Sequence, residues 1–342
     1  MWKQRAQRAA IVVILVIVLG AAAAVWLWRD RPGIDKLEWP NPVIAAASAT
    51  DSVTVTWLGV TTLLFDDGET QLLVDGFFSR PTLRDVLFGR AVHNDAATIN
   101  YALDEFRMRR LAAVIPAHSH FDHAMDVGAI ANRTSASVLG SESTLQIARG
   151  AGVPPDQLTL VEVGRPYDFG RFAVTLFASR HAPVGWRGNV TFPGTIDEPL
   201  TMPQPVSAMR EGGSYTIVIS HAQGTAVVQG SAGMPDTSLA EVAADVVMLG
   251  VGGLDTLGVE YAELYWQSIV TATGAQSVYP IHFDDFTRPF GEIVPGARFL
   301  GDIEQTAGWF EMFRDKWDND VELFIPEFGK PIAIYAQPVP ES

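Results

Sequence analysis

The hydrophobic pattern divides the chain near residue 30. Residues 9–28 form 20 consecutive positions without a charge, after a basic start with Lys3, Arg5 and Arg8. A run of that length crosses a hydrocarbon core of roughly 30 Å as one helix. Basic residues on the amino-terminal flank stay on the cytoplasmic side, which places the rest of the chain outside. Trp26 and Trp28 suit the aromatic belt at the outer end. A cleaved signal peptide competes with this reading, with 11–19 as its core and the alanines of 21–24 as cleavage-type residues, leaving a secreted body. Apolar sequence continues past those alanines and favours a retained membrane anchor over 1–31. Residues 32–51, with Pro32, Pro40, Pro42 and a run of small residues, read as a linker.

From residue 52 the pattern shortens to strand length. Strands are predicted at 53–58, 61–65 and 71–74, with Asp66-Asp67-Gly68 as a hairpin turn. A helix over 95–109 precedes a strand at 112–115 and a second helix over about 125–133. Alternation continues with a strand at 137–139, a helix over 142–150, and strands at 158–163 and 172–177. Residues 182–214 are rich in Pro and Gly and read as a long loop, of a length that is usually functional inside a domain. Strands follow at 215–220, 226–229 and 246–249, then a helix over 261–273 and a strand at 277–281. A helix over 302–317 and strands at 322–325 and 332–335 end the chain. Two blocks of strands, each leading into strand–helix units, predict an α/β fold of four layers, αββα, over 52–342. Its two sheets face each other with helices outside, and loops from one edge of both gather together.

Composition changes this picture twice. The chain has no cysteine, which removes disulfides, thiolate metal sites and cysteine nucleophiles. Its net charge is −15, and because the first 31 residues carry +4, the remainder carries −19. So acidic a body lacks the basic footprint that nucleic acid requires, and nucleic acid is not an expected partner.

The chemistry concentrates in His118-Ser119-His120-Phe121-Asp122-His123, directly after the apolar run Ala112-Ala113-Val114-Ile115 and Pro116. Three of the chain's seven histidines fall in this one loop. Solvated loop histidines explain such a cluster poorly, whereas imidazole and carboxylate are the donors that zinc, manganese or iron accept. Alternation sends His118 and His120 one way and lets Asp122 and His123 turn toward a second point. His181 and His282 each follow a predicted strand, at the edge where open α/β sheets place their sites.

The intact His-x-His-x-Asp-His motif at 118–123, with histidines downstream at 181 and 282, resembles the metallo-β-lactamase superfamily. The resemblance covers roughly residues 52–340. Val55-Thr56-Trp57-Leu58-Gly59 and Val74-Asp75-Gly76 are similar to the branch of ascorbate-phosphate lactonases and N-acyl-phosphatidylethanolamine phospholipase D enzymes. The resemblance implies a first metal on His118, His120 and His181 and a second on Asp122, His123 and His282. It implies that Asp75 supports the metal loop. It also implies Zn2+ in one or two copies, with Mn2+ or Fe2+ as alternatives.

Two positions depart from the branch. Where relatives carry Gly-Asp with a bridging aspartate, this chain reads Gly230-Ser231-Ala232-Gly233, and Val60 stands where histidine often follows Leu-Gly. The implied reaction is hydrolysis by a metal-activated hydroxide, formed because a bound cation lowers the pKa of water toward about 7. Asp122 both ligates and takes the nucleophile's proton. The expected substrate is an ester or phosphodiester, small or lipid-like or of the cell envelope, with lactams or lactones as the alternative. A binding or sensor protein on the same fold is the reading outside enzymes.

Other residues weigh less. His221 ends a strand and reads first as a structural group, and His93 as exposed. Asp284 and Asp285 either orient a metal-bound imidazole or sit solvated in their loop. Phe77, Phe78, Trp186 and Phe192 together favour an apolar groove or a membrane-facing lip, although core packing is the default for each. The glycines of Gly250-Val251-Gly252-Gly253 lack nucleotide-loop spacing and read as a tight turn. Ser231 lacks the elbow of a serine nucleophile. Arg180 and Arg187 flank His181 and keep a phosphoryl substrate in play.

Overall fold

A computed structural model describes residues 2–40, 42, 44, 52–317 and 320–335. The rest of the expected linker (41, 43 and 45–51) and the end of the expected domain (336–342) lie outside the described residues.

Alternation of side chains builds the layers. In the first sheet, Val55, Trp57, Phe65, Leu72, Val74, Ala113 and Ile115 point into the main core. Their neighbours Leu64, Leu73, Val114 and Val138 point the other way, into a second core. Successive strand residues face opposite sides, so both faces of this sheet are apolar and both must be covered. Helices Ala96–Glu105, Val127–Thr134 and Glu142–Gly150 cover the outer face through Ile99, Ile130 and Ile147. The inner face meets the second sheet through Val174, Leu176, Ile217, Ile219 and Val227. Helices Val259–Trp266 and Ile303–Lys316 close the far side, where Trp266 and Phe310 lie 5.0 Å apart between ring centroids. The result is the expected αββα sandwich.

The first sheet runs Pro331–Ala333, Thr54–Trp57, Leu63–Asp66, Gln71–Val74, Leu111–Ile115, Ser137–Gly140, Leu158–Leu160. Its antiparallel half holds the hairpins and its parallel half the strand–helix units. The second sheet runs Glu322–Leu323, Ser277–Ile281, Val246–Gly250, Gly224–Gln229, Ser214–His221, Phe172–Ser179, Pro166–Phe169. Parallel pairing of Gln71–Val74, Leu111–Ile115, Val246–Gly250 and Ser277–Ile281 with their neighbours aligns strand ends, and that alignment positions the site.

Several boundaries shift for local reasons. Thr61 is not in a strand, because Gly59 (φ +88°) and Val60 (φ +50°) turn the chain before Leu63. Asp95 and Asp302 cap their helices rather than belonging to them, each accepting two backbone N–H groups of the first turn. The helix expected at about 125–133 runs Val127–Thr134, and a separate short helix, Phe121–Ala124, precedes it. The amino-terminal helix Trp2–Arg29 contains a span, Ile11–Arg29, long and apolar enough to cross a membrane, with mean hydropathy 2.8. Residues 32–39, expected as linker, lie along the body. Gly33 N–H and Lys36 Nζ both donate to Glu304 (2.6 and 2.8 Å), and Trp39 Nε1–H donates to Glu311 (2.7 Å).

Candidate metal centre

The strand Leu111–Ile115 delivers the chain to His118, and the short helix Phe121–Ala124, for which His120 is the amino-terminal cap, carries Asp122 and His123. His181 follows Phe172–Ser179 by one residue, and His282 follows Ser277–Ile281 directly. The six side chains sort into two groups, His118 with His120 and His181, and Asp122 with His123 and His282. Within each group the donor atoms lie within 4.8 Å of one another. His118 Nε2 and His120 Nδ1 face each other at 3.0 Å, and the ring centroids of His118 and His120 lie 4.8 and 4.7 Å from that of His181. Asp122 Oδ2 lies 3.4 Å from His282 Nε2 and 3.7 Å from His123 Nε2.

Neighbouring groups fix which ring atom is free. His181 Nδ1–H donates to the Ala182 carbonyl (2.8 Å), leaving Nε2 open. His123 Nδ1–H donates to Asp75 Oδ2 (2.7 Å), with Thr61 Oγ1 2.9 Å from the same nitrogen, so Nε2 turns to the site. Asp75 is fully buried and has a left-handed backbone (φ +59°), and its other oxygen accepts the Ala117 N–H at 2.7 Å. One carboxylate therefore ties the end of the third strand to both ends of the histidine loop.

His282 also has positive φ (+63°), a strained choice for a non-glycine residue that functional sites can retain. Its N–H donates to the Val60 carbonyl (2.9 Å), while Val60 N–H donates to Asp284 Oδ1 (2.8 Å). Val60 is thus a buried backbone clasp on the His282 loop.

Burial, and then the neighbouring imidazoles, push His118 well below its ordinary value, and the same causes lower His181 to about 3. Burial also lowers His120, partly offset by Asp122. Three neutral imidazoles result. Burial opposes charge on Asp122 and on His123. Even so, His123 and His282 hold the Asp122 carboxyl well below the carboxylate range, and Asp75 and Asp122 carry His123 upward. The first group therefore offers neutral nitrogen donors and the second an anion with polarised imidazoles. Among the described residues, His118 Nδ1 is buried with no hydrogen-bond partner. A nitrogen–oxygen donor set without sulfur, crowded into so small a space, fits divalent zinc, manganese or iron.

The groups open into a cleft of about 460 Å³, within the range of small-molecule sites. His120, Asp122, His181 and His282 line it together with apolar side chains, among them Leu83, Val86, Phe121, Phe192 and Phe299. Trp28, from the amino-terminal helix, lines it too. Phe192 approaches His120 with ring centroids 6.2 Å apart, as expected of the long loop.

Several sequence expectations change here. Phe77 and Phe78 are wholly buried against Phe121 and Phe290 and form no part of the groove. Asp284 and Asp285 are buried and line the cleft beside His282, and among the described residues neither hydrogen-bonds an imidazole. Asp284 takes the Val60 N–H and lies 3.7 Å from the buried Arg80, and Asp285 pairs with Arg31 at 2.7 Å. His221 packs on Phe172 and Asp67, outside the groups. Ser231 lines the cleft, and its Oγ accepts the Ala182 N–H (2.9 Å), which secures the residue after His181. Gly252 belongs to a turn where an added Cβ would lie 3.1 Å from His282, in keeping with the tight-turn reading. Neither Trp28 nor Arg31 was identifiable as a neighbour of the site, since a membrane-type helix carries no signal of the surface it docks on.

The approach of the 231–234 turn to the strand end makes a prediction. A Cβ on Gly233 would sit 1.7 Å from the Arg180 carbonyl oxygen. Gly233→Ala must therefore separate the turn from the segment carrying His181, at a cost of about 2 kcal/mol or more. Thermal melting and metal stoichiometry should both fall; unchanged values would show that the two segments are not coupled.

The chain is similar to several known proteins. The sequence model described as "Beta-lactamase superfamily domain" matches residues 54–282. A "UPF0173 metal-dependent hydrolase" of Pyrobaculum aerophilum is 25% identical over 244 residues, covering 68% of this chain and 84% of that protein. A protein of the same description from Pyrobaculum islandicum is 23% identical over 240 residues, with the same coverage. Among solved structures, Igni18, a metallo hydrolase of Ignicoccus hospitalis, is 16% identical with TM-score 0.49, covering 84% of this chain and 100% of that one.

Proposed function

The chain belongs to the metallo-β-lactamase superfamily and is a metal-dependent hydrolase, and we propose that it cleaves an ester or phosphodiester carrying an apolar, lipid-like portion. The observation that carries this reading is the cleft, whose lining is mostly aliphatic and aromatic; beyond the histidine–aspartate floor, Thr191, Ser231, Asp284, Asp285 and Thr287 are its polar side chains. His118, His120 and His181 would hold one cation, and Asp122, His123 and His282 a second, Zn2+ being the ion best matched by these donors. Bound there, divalent cations supply Lewis acidity and lower the pKa of water at neutral pH.

The chain's own residues do the remaining work. Asp122 lines the cleft as an anion and is placed to take the proton of an attacking water. Asp75 keeps His123 in one tautomer, and Phe121 and Phe192 keep bulk solvent from the floor. The apolar walls hold the substrate's hydrocarbon part, so that the scissile bond lies over the imidazoles. Arg180, next to His181, is exposed and pairs with Asp236 at 2.7 Å.

The helix Ile11–Arg29 would anchor the enzyme, with the body on the extracytoplasmic side as the preceding Lys3, Arg5 and Arg8 direct. The test is a substrate series on the purified full chain, with p-nitrophenyl esters and phosphodiesters of increasing acyl length, before and after chelation. Turnover should vanish with chelator, return with zinc, and improve as kcat/KM with chain length. Chelator-insensitive turnover, or a preference for the shortest substrates, would overturn the reading.

A further inference from the structure

The cleft is closed on one side by the end of the amino-terminal helix. Trp28 lines the cleft, with its ring centroid 6.2 Å from that of Phe299. Arg31 donates to the Pro295 carbonyl and, at 2.7 Å, to Asp285, three residues after His282. Arg298 N–H donates to the Asp30 carbonyl at 2.8 Å. The last turn of the apolar helix is thus pinned to the same loop, 282–300, that supplies His282. The span Ile11–Arg29 itself is not buried in the protein. Its 19 residues rise about 28 Å, one hydrocarbon thickness. A bilayer around that span must therefore end where the cleft begins.

The rim of the cleft is composed accordingly. Leu87 lines the opening and is 67% exposed, and Phe88 beside it is 72% exposed. Leu300 lines it at 51%, and Trp186, two residues beyond the cleft-lining Val184, is 83% exposed. Single exposed apolar residues are ordinary, but several around one opening mark a surface that meets something apolar. Each aromatic here is accompanied by an arginine: Arg31 5.9 Å from the Trp28 ring, Arg90 5.9 Å from Phe88, and Arg187 5.8 Å from Trp186. Aromatic rings with adjacent cations are the composition of the headgroup region. On a body of net charge −19 they are the part that an anionic leaflet attracts rather than repels.

We infer that the mouth of the cleft seats on the outer leaflet of the bilayer that holds the anchor. The rim formed by Leu87, Phe88, Trp186 and Leu300 lies at headgroup depth, and a lipid-like substrate slides from the leaflet past Trp28 onto the metal groups. The inference rests on the anchored, lipid-directed reading above and adds how that substrate arrives.

Because the chain has no cysteine, single labels are unambiguous. Full-length protein carrying a nitroxide at Val18→Cys, Phe88→Cys, Trp186→Cys or Glu69→Cys is reconstituted into vesicles of phosphatidylcholine and phosphatidylglycerol. Collision with oxygen, which concentrates in the bilayer, is then compared with collision with an aqueous nickel chelate. Glu69 lies in the hairpin at the far ends of the strands that lead to Asp75. Labels at 18, 88 and 186 should favour oxygen severalfold over the label at 69. If 88 and 186 match 69 while 18 still reports the bilayer, the seated mouth is wrong and the anchor stands. If 18 matches 69, both fall, independently of any activity assay.

Discussion

Asp122→Asn is expected to lower kcat by about 10²–10⁴ while leaving the fold intact. The substitution keeps the side chain's shape and removes only its charge. The carboxylate lines the cleft 3.4 Å from His282 Nε2 and 3.7 Å from His123 Nε2, and it has no hydrogen bond to the backbone among the described residues. Under the proposed mechanism it would contribute negative charge among imidazoles and a proton acceptor over the floor of the site. With asparagine there, the second group loses its only anion, so metal content per chain should fall toward that of the first group alone. Steady-state kinetics, elemental analysis and a thermal melt of the same preparation check this. A kcat within threefold of the parent would remove Asp122 from the mechanism. A large fall in melting temperature of the metal-free protein would recast it as a structural residue.

How much of this was legible beforehand depended on the range of the interaction. His118, His120, Asp122 and His123 lie within six residues, and His181 and His282 follow strands whose periodicity is local, so the six side chains that the structure gathers into two groups could be read along the chain. The sandwich was legible for the same reason, because apolar strands such as Leu111–Ile115 and Val246–Gly250 announce burial on both faces. Residues whose role depends on distant partners were not. Asp285 is one of two adjacent acidic residues until Arg31, 254 positions earlier, reaches it. Asp284 acquires meaning only when Val60 and Arg80 fold beneath it. Phe77 and Phe78 looked available to a groove because the surrounding stretch is loop-like, yet that loop runs beneath Phe121 and Phe290. Trp28 was read as an interfacial anchor, and only the packed structure gives it a second contact with the cleft.

Asp75→Asn should damage both stability and metal binding, which separates it from the Asp122 change. Asn tolerates left-handed backbone nearly as well as Asp, so the φ of +59° is not itself the problem. The difficulty lies in the donors. One Asp75 oxygen takes the Ala117 N–H, and the other takes His123 Nδ1–H together with the Thr61 hydroxyl. An amide offers a single acceptor oxygen and turns its NH2 toward a group that already donates. At least one buried donor is left unpaired, in a place without access to water. Removing one partner of a buried charged pair costs about 3–5 kcal/mol, and losing the group that orients a ligating imidazole costs about 10–100-fold in metal affinity or activity. The expected result is a thermal midpoint lower by roughly 6 °C or more, with metal lost at chelator concentrations the parent withstands. Thr61→Val, which removes one donor and no acceptor, should be much milder in both measurements. If Asp75→Asn kept the parent's metal affinity, His123 would not depend on Asp75 for its orientation, and the link from the third strand to the histidine loop would be structural only.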